Sequence, residues 1–269
     1  MTMAYETILY EVKDRTAVIT FNRPDQLNAL SPRMVEELRQ AYAAAEADEN
    51  VWTLLITANG RAFCAGADVS EIPADGRVLY PAPYLSTYPQ WEAPQEATPP
   101  FRSMTKPVIT AVNGICCGAG LDLLTTGDIS IASDRAQFFD PHVSIGLVSG
   151  RESVRLARVL PTGIAMRMAL MGKHERMSAL RAYELGLVSE VVPHEQLLGR
   201  AMEIAATVNR NAPLAVRGTR LAIRKGLDLP LHEAEILAEA FRERVVRTND
   251  AKEGPAAFVA KREPKWTCS

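Results

Sequence analysis

An α/β fold built on parallel strands, with a helical C-terminal region, is what this sequence predicts, and three observations predict it. Short β-branched runs alternate with helical periodicity through the N-terminal half of the chain. From Arg151 onward the pattern is almost wholly helical. The composition, 47% hydrophobic and 23% charged over 269 residues, supplies one large core or a core plus a small annex and excludes a disordered polymer.

The first segment, Ile8 to Val12 and Thr16 to Phe21, reads as two strands joined by the polar turn Lys13-Asp14-Arg15, a hairpin signature. Ser31 before Pro32 then gives an N-cap and a proline at the first helical position. Met34, Leu38, Ala41 and Ala45 recur at helical spacing down to Asp48. Val51 to Thr57, Val108 to Val112 and Ile129 to Ala132 read as buried strands, and their alternation with helical patterns predicts parallel β-α-β units rather than a sandwich. Beyond them the expected helices are Glu152 to Val159, Gly163 to Met171, Ser178 to Leu185 and Gln196 to Asn211, with one short strand from Val188 to Val192. Three further helices follow Asn211-Ala212-Pro213, and the expected division is a core over 1–205 and a helical region over 206–269.

One stretch breaks this rhythm. Between Ile72 and Pro100 lie seven of the 17 prolines, together with Tyr80, Tyr84, Tyr88 and Trp91. Proline at that density precludes a regular helix or central strand, so the segment is expected to be a long loop whose aromatics wall a binding cavity.

Charge and cysteine usage narrow the function classes. Lys+Arg 30 against Asp+Glu 32 leaves a formal charge of -2 and no global field for a polyanion. Arg217, Arg220, Arg224 and Lys225 form a basic stripe on one expected helix, read as a solvated face rather than a phosphate contact. Cys64, Cys116, Cys117 and Cys268 make neither a disulfide framework nor a Cys-x-x-Cys metal pattern. The start MTMAYETILYEV lacks a basic region followed by an apolar run, and apolar stretches such as Val108 to Val112 fall well short of the ~20 residues that span a bilayer. The expectation is a cytoplasmic, reduced protein without a membrane anchor.

Two glycine-rich turns carry the first chemical signal: residues 61–68 (RAFCAGAD) after one strand and 113–120 (NGICCGAG) after another. Both read as strand-to-helix junctions, where unpaired N–H groups and the helix dipole suit an anion or a polarised carbonyl oxygen. Two such turns together would make an oxyanion hole. Neither fits a dinucleotide or P-loop pattern, so the residues by themselves specify an α/β enzyme-like domain and no more.

Four linked segments add to this reading: NRPDQLNALS at 22–31, RAFCAGADVSEI at 61–72, KPVITAVNGICCGAGLDLLTTGDISIAS at 106–133 and AQFFDPHVSIGLVSG at 136–150. In order and spacing the sequence resembles the crotonase superfamily, the enoyl-CoA hydratase/isomerase family, and the likeness runs to the C-terminus. The resemblance implies a spiral of β-β-α turns with a C-terminal helical trimerisation region, assembling as a homotrimer or hexamer. It implies an acyl-CoA thioester as ligand, with coenzyme A entering as part of the substrate and neither a separate cofactor nor a metal. The thioester oxygen would be held by the backbone N–H groups of Ala67 and Ala119. CoA would lie near Asn28, Ala29, Leu30, Ala65, Gly66, Asp68 and Gly118, with Lys261 near its phosphates. Tyr80, Tyr84, Tyr88 and Trp91 would then wall the acyl pocket.

The same resemblance exposes a departure. The family's hydratases carry two glutamates, and the matching positions here hold Asp122 and His142. A neutral imidazole gives or takes a proton near pH 7, so His142 is the expected acid–base group, with a carboxylate to steady its charged form. Asp122 is the first choice for that carboxylate, and Asp140 and Glu152 are the alternatives. His174, His194 and His232 have no partner in view, and Cys116 and Cys117 read as small buried thiols rather than nucleophiles. The expected function is processing of an acyl-CoA through a thioester enolate: hydration, isomerisation, hydrolysis or C–C cleavage. A non-catalytic CoA-ester-binding protein is the alternative, and nucleic-acid binding is disfavoured by the net charge.

Overall fold

The computed structural model describes residues 5–71 and 104–269. Strands β1 (Ile8–Lys13) and β2 (Thr16–Phe21) pair antiparallel as the expected hairpin, and the turn residues Asp14 and Arg15 take φ of 46° and 64°. Helix α1 (Pro32–Ala47) begins at the expected cap, where Ser31 Oγ accepts the Met34 N–H at 3.1 Å. Its buried face is the periodic set Met34, Leu38, Ala41 and Ala45, joined by Tyr42.

The chain then winds through three similar turns. Strand β3 (Thr53–Ala58) runs into the short β4 (Ala62–Cys64), β5 (Val108–Val112) into β6 (Ile115–Cys117), and β7 (Ile129–Ser133) into β8 (Gln137–Phe139). Helix α2 (Ala119–Thr126) joins β6 to β7. The longer strand of each pair enters a six-stranded sheet, and the shorter enters a four-stranded one. β9 (Met177–Ser178) and β10 (Glu190–Val192) complete them, giving the orders β1-β2-β3-β5-β7-β10 and β4-β6-β8-β9. From β2 to β10 every neighbour in the larger sheet is parallel, as the βα alternation predicts. The corners are tight: a Cβ on Gly114, between β5 and β6, would come within 2.2 Å of the Arg61 carbonyl oxygen, so only glycine fits there.

Helices α3 (Arg151–Val159), α4 (Thr162–Met171), α5 (Ala179–Glu184) and α6 (Leu197–Asn209) follow, then α7 (Pro213–Gly226), α8 (Leu231–Val246) and α9 (Asn249–Val259). The central strands of the large sheet, β2, β3 and β5, are buried on both faces. The main core lies towards α1 and α2, and a second cluster packs Val18, Leu55, Ile109, Ala111 and Ile131 against Leu197, Ala201 and Ala205 of α6. Each fully buried large apolar side chain contributes about 1.5–3 kcal/mol, so sandwiching the sheet rather than covering one face sets where the chain is most stable. No helix among the described residues is long and apolar enough to cross a membrane.

Three expectations need correction or bounding. Residues 62–64 and 115–117 are strands as well as turn approaches, and the first turn leads into a 3-10 helix, Val69–Glu71, rather than an α-helix. The basic stripe is a solvated face only in part: Lys225 is exposed, but Arg220 and Arg224 turn inward onto Asp128. The aromatics Tyr80, Tyr84, Tyr88 and Trp91 lie outside the described residues.

Candidate active site

The two glycine-rich turns meet. Leu30 and Ala67 form an isolated parallel bridge, in which the Leu30 N–H donates to Gly66 O at 2.8 Å and the Asp68 N–H donates to Leu30 O at 3.0 Å. That ladder uses the groups on either side of Ala67, so the Ala67 N–H points away from it. Across from it, Gly118 caps α2 with φ 53°, and Ala119 is the first helical residue, whose N–H has no acceptor within the helix. A Cβ on Gly66 would lie 3.7 Å from Ala119 N, and one on Gly118 would lie 3.3 Å from Gly66 Cα. The absence of side chains at these two glycines is what lets the turns approach so closely.

His142 joins them from a third element. It opens the 3-10 turn His142–Ile145, and its Cε1 lies 3.7 Å from where a Gly118 Cβ would stand. The turn is held from behind, because Ser144 Oγ accepts the Lys173 N–H at 2.9 Å. His142 Nδ1 lies 2.5 Å from Asp140 Oδ1, and the same oxygen accepts the His142 backbone N–H at 3.1 Å. Asp140 is fully buried at 0% exposure, and its Oδ2 accepts the Ser149 hydroxyl. The Asp140 hydrogen bond holds the His142 pKa above the ordinary imidazole value, against the opposing effect of burial, and the charge of Glu152 adds to the rise. Burial pushes the Asp140 carboxyl up, but donation from His142 and Ser149 outweighs it and leaves the pKa below the usual carboxylate range. An ionised carboxylate only accepts, so Nδ1 carries the proton and Nε2 is the basic nitrogen of the neutral ring.

The carboxylate on His142 is therefore Asp140, not Asp122. Asp122, in the first turn of α2, is buried, and its Oδ1 lies 3.0 Å from Arg155 Nε on α3. Glu152 is also buried, in the first turn of α3, near enough to influence the imidazole by charge. Among the residues expected near CoA, Asn28 is occupied by the fold: at φ 54° its Oδ1 accepts the Arg23 N–H and its Nδ2 donates to the carbonyls of Asn59 and Ala62, each at 2.8 Å. Ala29 and Leu30 are buried beside it, Ala65 N–H donates to Leu27 O, and Asp68 pairs with Arg23 at 3.0 Å. Any contact to a ligand from Asn28 thus falls to its main chain. Lys261 is exposed beyond α9, with no hydrogen bond to residues 28–30 or 65–68 among the described residues.

The remaining candidates sort by environment. Burial pushes the Cys64 and Cys117 thiols up to about 12 and Cys116 well above its ordinary value, so all three stay protonated. His194 lies apart, its Nδ1 3.1 Å from Asn113 O, beside a cavity of about 290 Å³ lined by Thr57, Asn59, Asn113 and Leu197. No residue of the His142 group lines that cavity. Sequence reasoning passed over Ser149 and Arg155, whose partners lie 9 residues and more than a helix away in the chain. The one local signal was a hydroxyl following the Asp-x-His stretch.

The spiral, the paired turns and their order along the chain point to one family, and comparison with known proteins agrees. The family model for enoyl-CoA hydratase/isomerase matches residues 11–269. A probable enoyl-CoA hydratase of Rhizobium meliloti is 35% identical, the match covering 98% of this chain and 99% of the relative. The mevalonyl-coenzyme A hydratase of Aspergillus fumigatus is 34% identical over 93% of this chain and 90% of the relative. Among solved structures, an enoyl-CoA hydratase/isomerase from Mycobacterium paratuberculosis is 72% identical with a TM-score of 0.91, covering 99% of this chain and 100% of that one. A Geobacillus kaustophilus enoyl-CoA hydratase subunit is 32% identical with a TM-score of 0.85, covering 98% and 99%. With both the architecture and nearly the whole length of the sequence shared, the chain belongs to the enoyl-CoA hydratase/isomerase family of the crotonase superfamily.

Proposed function

We propose that the chain is an acyl-CoA enzyme that works through a thioester enolate, with His142 as its acid–base group and Asp140 as the carboxylate that orients it. The observation that carries this reading is the convergence at Gly118: the Ala119 N–H follows it, Gly66 packs on it, and the His142 ring edge faces it. The Ala67 and Ala119 N–H groups would receive the negative charge that develops on the thioester oxygen. One such donor is worth about 2.7–4 kcal/mol of transition-state stabilisation, and a positioned base about 10²- to 10⁴-fold in rate.

The reaction we favour is addition of water to a 2-enoyl-CoA or the related double-bond shift. Nε2 takes the proton of water, the hydroxide oxygen bonds to C3, and the π electrons move onto the thioester oxygen as an enolate. The imidazolium then returns the proton to C2, so one group serves both steps. By the resemblance, Asp122 and His142 stand where the family's hydratases carry glutamates. With Asp122 paired to Arg155, the proton traffic falls to His142 alone. Assembly as a homotrimer or hexamer belongs to the same proposal, supported by exposed apolar residues on the late helices such as Leu231, Ile236 and Phe258.

The test incubates the purified protein with 2-enoyl-, 3-enoyl-, 3-oxoacyl- and aroyl-CoA thioesters in heavy water and follows products by mass. Water addition, deuterium uptake beside the carbonyl, release of free CoA and chain cleavage each have a distinct mass. His142→Ala is expected to lose turnover by at least 10²-fold while retaining CoA-ester binding. Equal turnover in wild type and variant removes His142 from the mechanism. Saturable binding without turnover in the wild type favours the non-catalytic alternative.

A further inference from the structure

We propose that Ser149 is a positioning residue for His142: its hydroxyl closes the loop from Asp140 to Ser149 onto the second carboxylate oxygen and thereby fixes the group that orients the imidazole. This rests on the reading of His142 as the acid–base group.

The geometry is that of a built ring. One oxygen of Asp140 is taken by His142, through both its ring and its backbone N–H, and the other by Ser149. The carboxylate is fully buried, so water is not at hand to replace a lost donor, and an anionic oxygen left alone there costs its desolvation. Ser149 is itself held in place. Ser153 Oγ, one turn into α3, donates to Ser149 O at 2.6 Å and to Gly150 O at 3.1 Å. Between the two ends the chain reverses at Gly146, at φ 76°, and the Leu147 N–H donates to His142 O at 3.0 Å.

Apolar packing does not close this loop. Ile145 is 52% exposed and Val148 is 87% exposed, so the loop is closed by polar ties, of which the Ser149–Asp140 bond joins its two ends. Freed from it, the carboxylate is held through Oδ1 alone, by the His142 ring and backbone N–H.

The tie also has a charge preference. A hydroxyl donating to a carboxylate binds hardest when that carboxylate carries its full charge, which is when His142 is neutral. Ser149 therefore favours the basic form of His142 over the imidazolium. Of the other charged or titratable groups, Glu152 from α3 acts on His142 by charge, Cys117 at the end of β6 lies near Asp140, and Arg176, whose guanidinium lies 4.6 Å from the Phe139 ring centroid, acts on Cys117. None of them hydrogen-bonds to Ser149 among the described residues, so replacing Ser149 leaves their charges in place.

The experiment is a pH titration of the imidazole nitrogens by NMR on the full chain, with His142 assigned by its disappearance in His142→Asn. In Ser149→Ala the His142 midpoint is expected to move upward by about 0.5–1 pH unit. Ser149→Thr should restore the wild-type curve, and the neutral ring should keep its Nδ1–H form in every Ser149 variant, since Asp140 Oδ1 remains its acceptor. On the thioester that the product screen identifies, Ser149→Ala should lower kcat with KM unchanged and carry the acid limb of the profile to higher pH. A His142 midpoint identical to wild type in a folded Ser149→Ala overturns the proposal. Should Ser149→Ala not fold, Ser149→Cys puts a weaker donor in the same place and is read by the same midpoint. The two readings fail separately: full turnover in His142→Asn sinks the acid–base assignment, whereas lost turnover there with an unmoved Ser149→Ala titration sinks only the role of Ser149.

Discussion

His142 and Asp140 shift in opposite directions because each stabilises the charged form of the other, and that gives the pair a defined pH window. The imidazole is raised from 6.5, so its contribution to stability is complete below that value and is lost as pH rises through the folded pKa. The carboxyl is lowered from 3.8, so its contribution is complete above that value and is lost as pH falls through the folded pKa. Both hold together between about pH 4 and 6.5. The Tm difference between wild type and Asp140→Asn is therefore expected to be largest and flat in that interval and to shrink above it. A difference that grows above pH 7 would falsify the ion pair. The partnership was half legible in the sequence: Asp140 lies two residues before His142, within reach of any turn. The preference for Asp122 came from family positions, and nothing local to residue 122 announces the guanidinium of Arg155, which arrives from another helix.

Elements declare themselves in proportion to how many periods they contain. The hairpin, α1 with its Ser31 cap, and the five-residue β5 were readable because each repeats its pattern or carries a terminator. The three-residue strands β4, β6 and β8 span barely one alternation, so their pairing became visible only once the longer strands had fixed the spiral. Lys106 was equally opaque, since a lysine before a proline reads as surface. It is instead 1% exposed, with Nζ donating to Ala45 O and Asp48 O, both at 2.6 Å, at the C-terminal end of α1. Burial drives its pKa below the ordinary lysine value, yet the two carbonyls and the helix dipole keep a cation useful there. Lys106→Met preserves the stem and strands both acceptors, so it should cost about 2–3 kcal/mol. For a chain of this size that is a fall in Tm of about 5–10 °C. Thermal unfolding measures it, and a change below about 1 °C would show that water or relaxation satisfies those carbonyls.

At the scale of the whole molecule, the attachment of the last helices to the spiral depends on a small polar centre that the sequence disguised as a basic stripe. Asp128 follows α2, and its side chain accepts the Val108 N–H at 2.8 Å, Arg220 Nε at 2.6 Å and Arg224 Nε at 2.9 Å. The same arginines donate onward to the carbonyls of Met104, Thr125, Thr126 and Gly127. One carboxylate thus joins β5, the end of α2 and α7, and both guanidinium groups face the protein rather than a polyanion. With Asp128 only 14% exposed and Arg220 9%, this is a largely desolvated network, in which removing one charge leaves two others without their counter-ion. Asp128→Asn should cost about 3–5 kcal/mol, more than either Arg220→Lys or Arg224→Lys, since each lysine variant keeps one charge on Asp128. The loss should also be local before it is global. Amide exchange in α7 and α8, which pack on each other, should accelerate at denaturant concentrations where β2, β3 and β5 remain protected. Uniform acceleration across sheet and helices would mean instead that the late helices and the spiral unfold as one cooperative unit, with Asp128 merely one contributor to its stability.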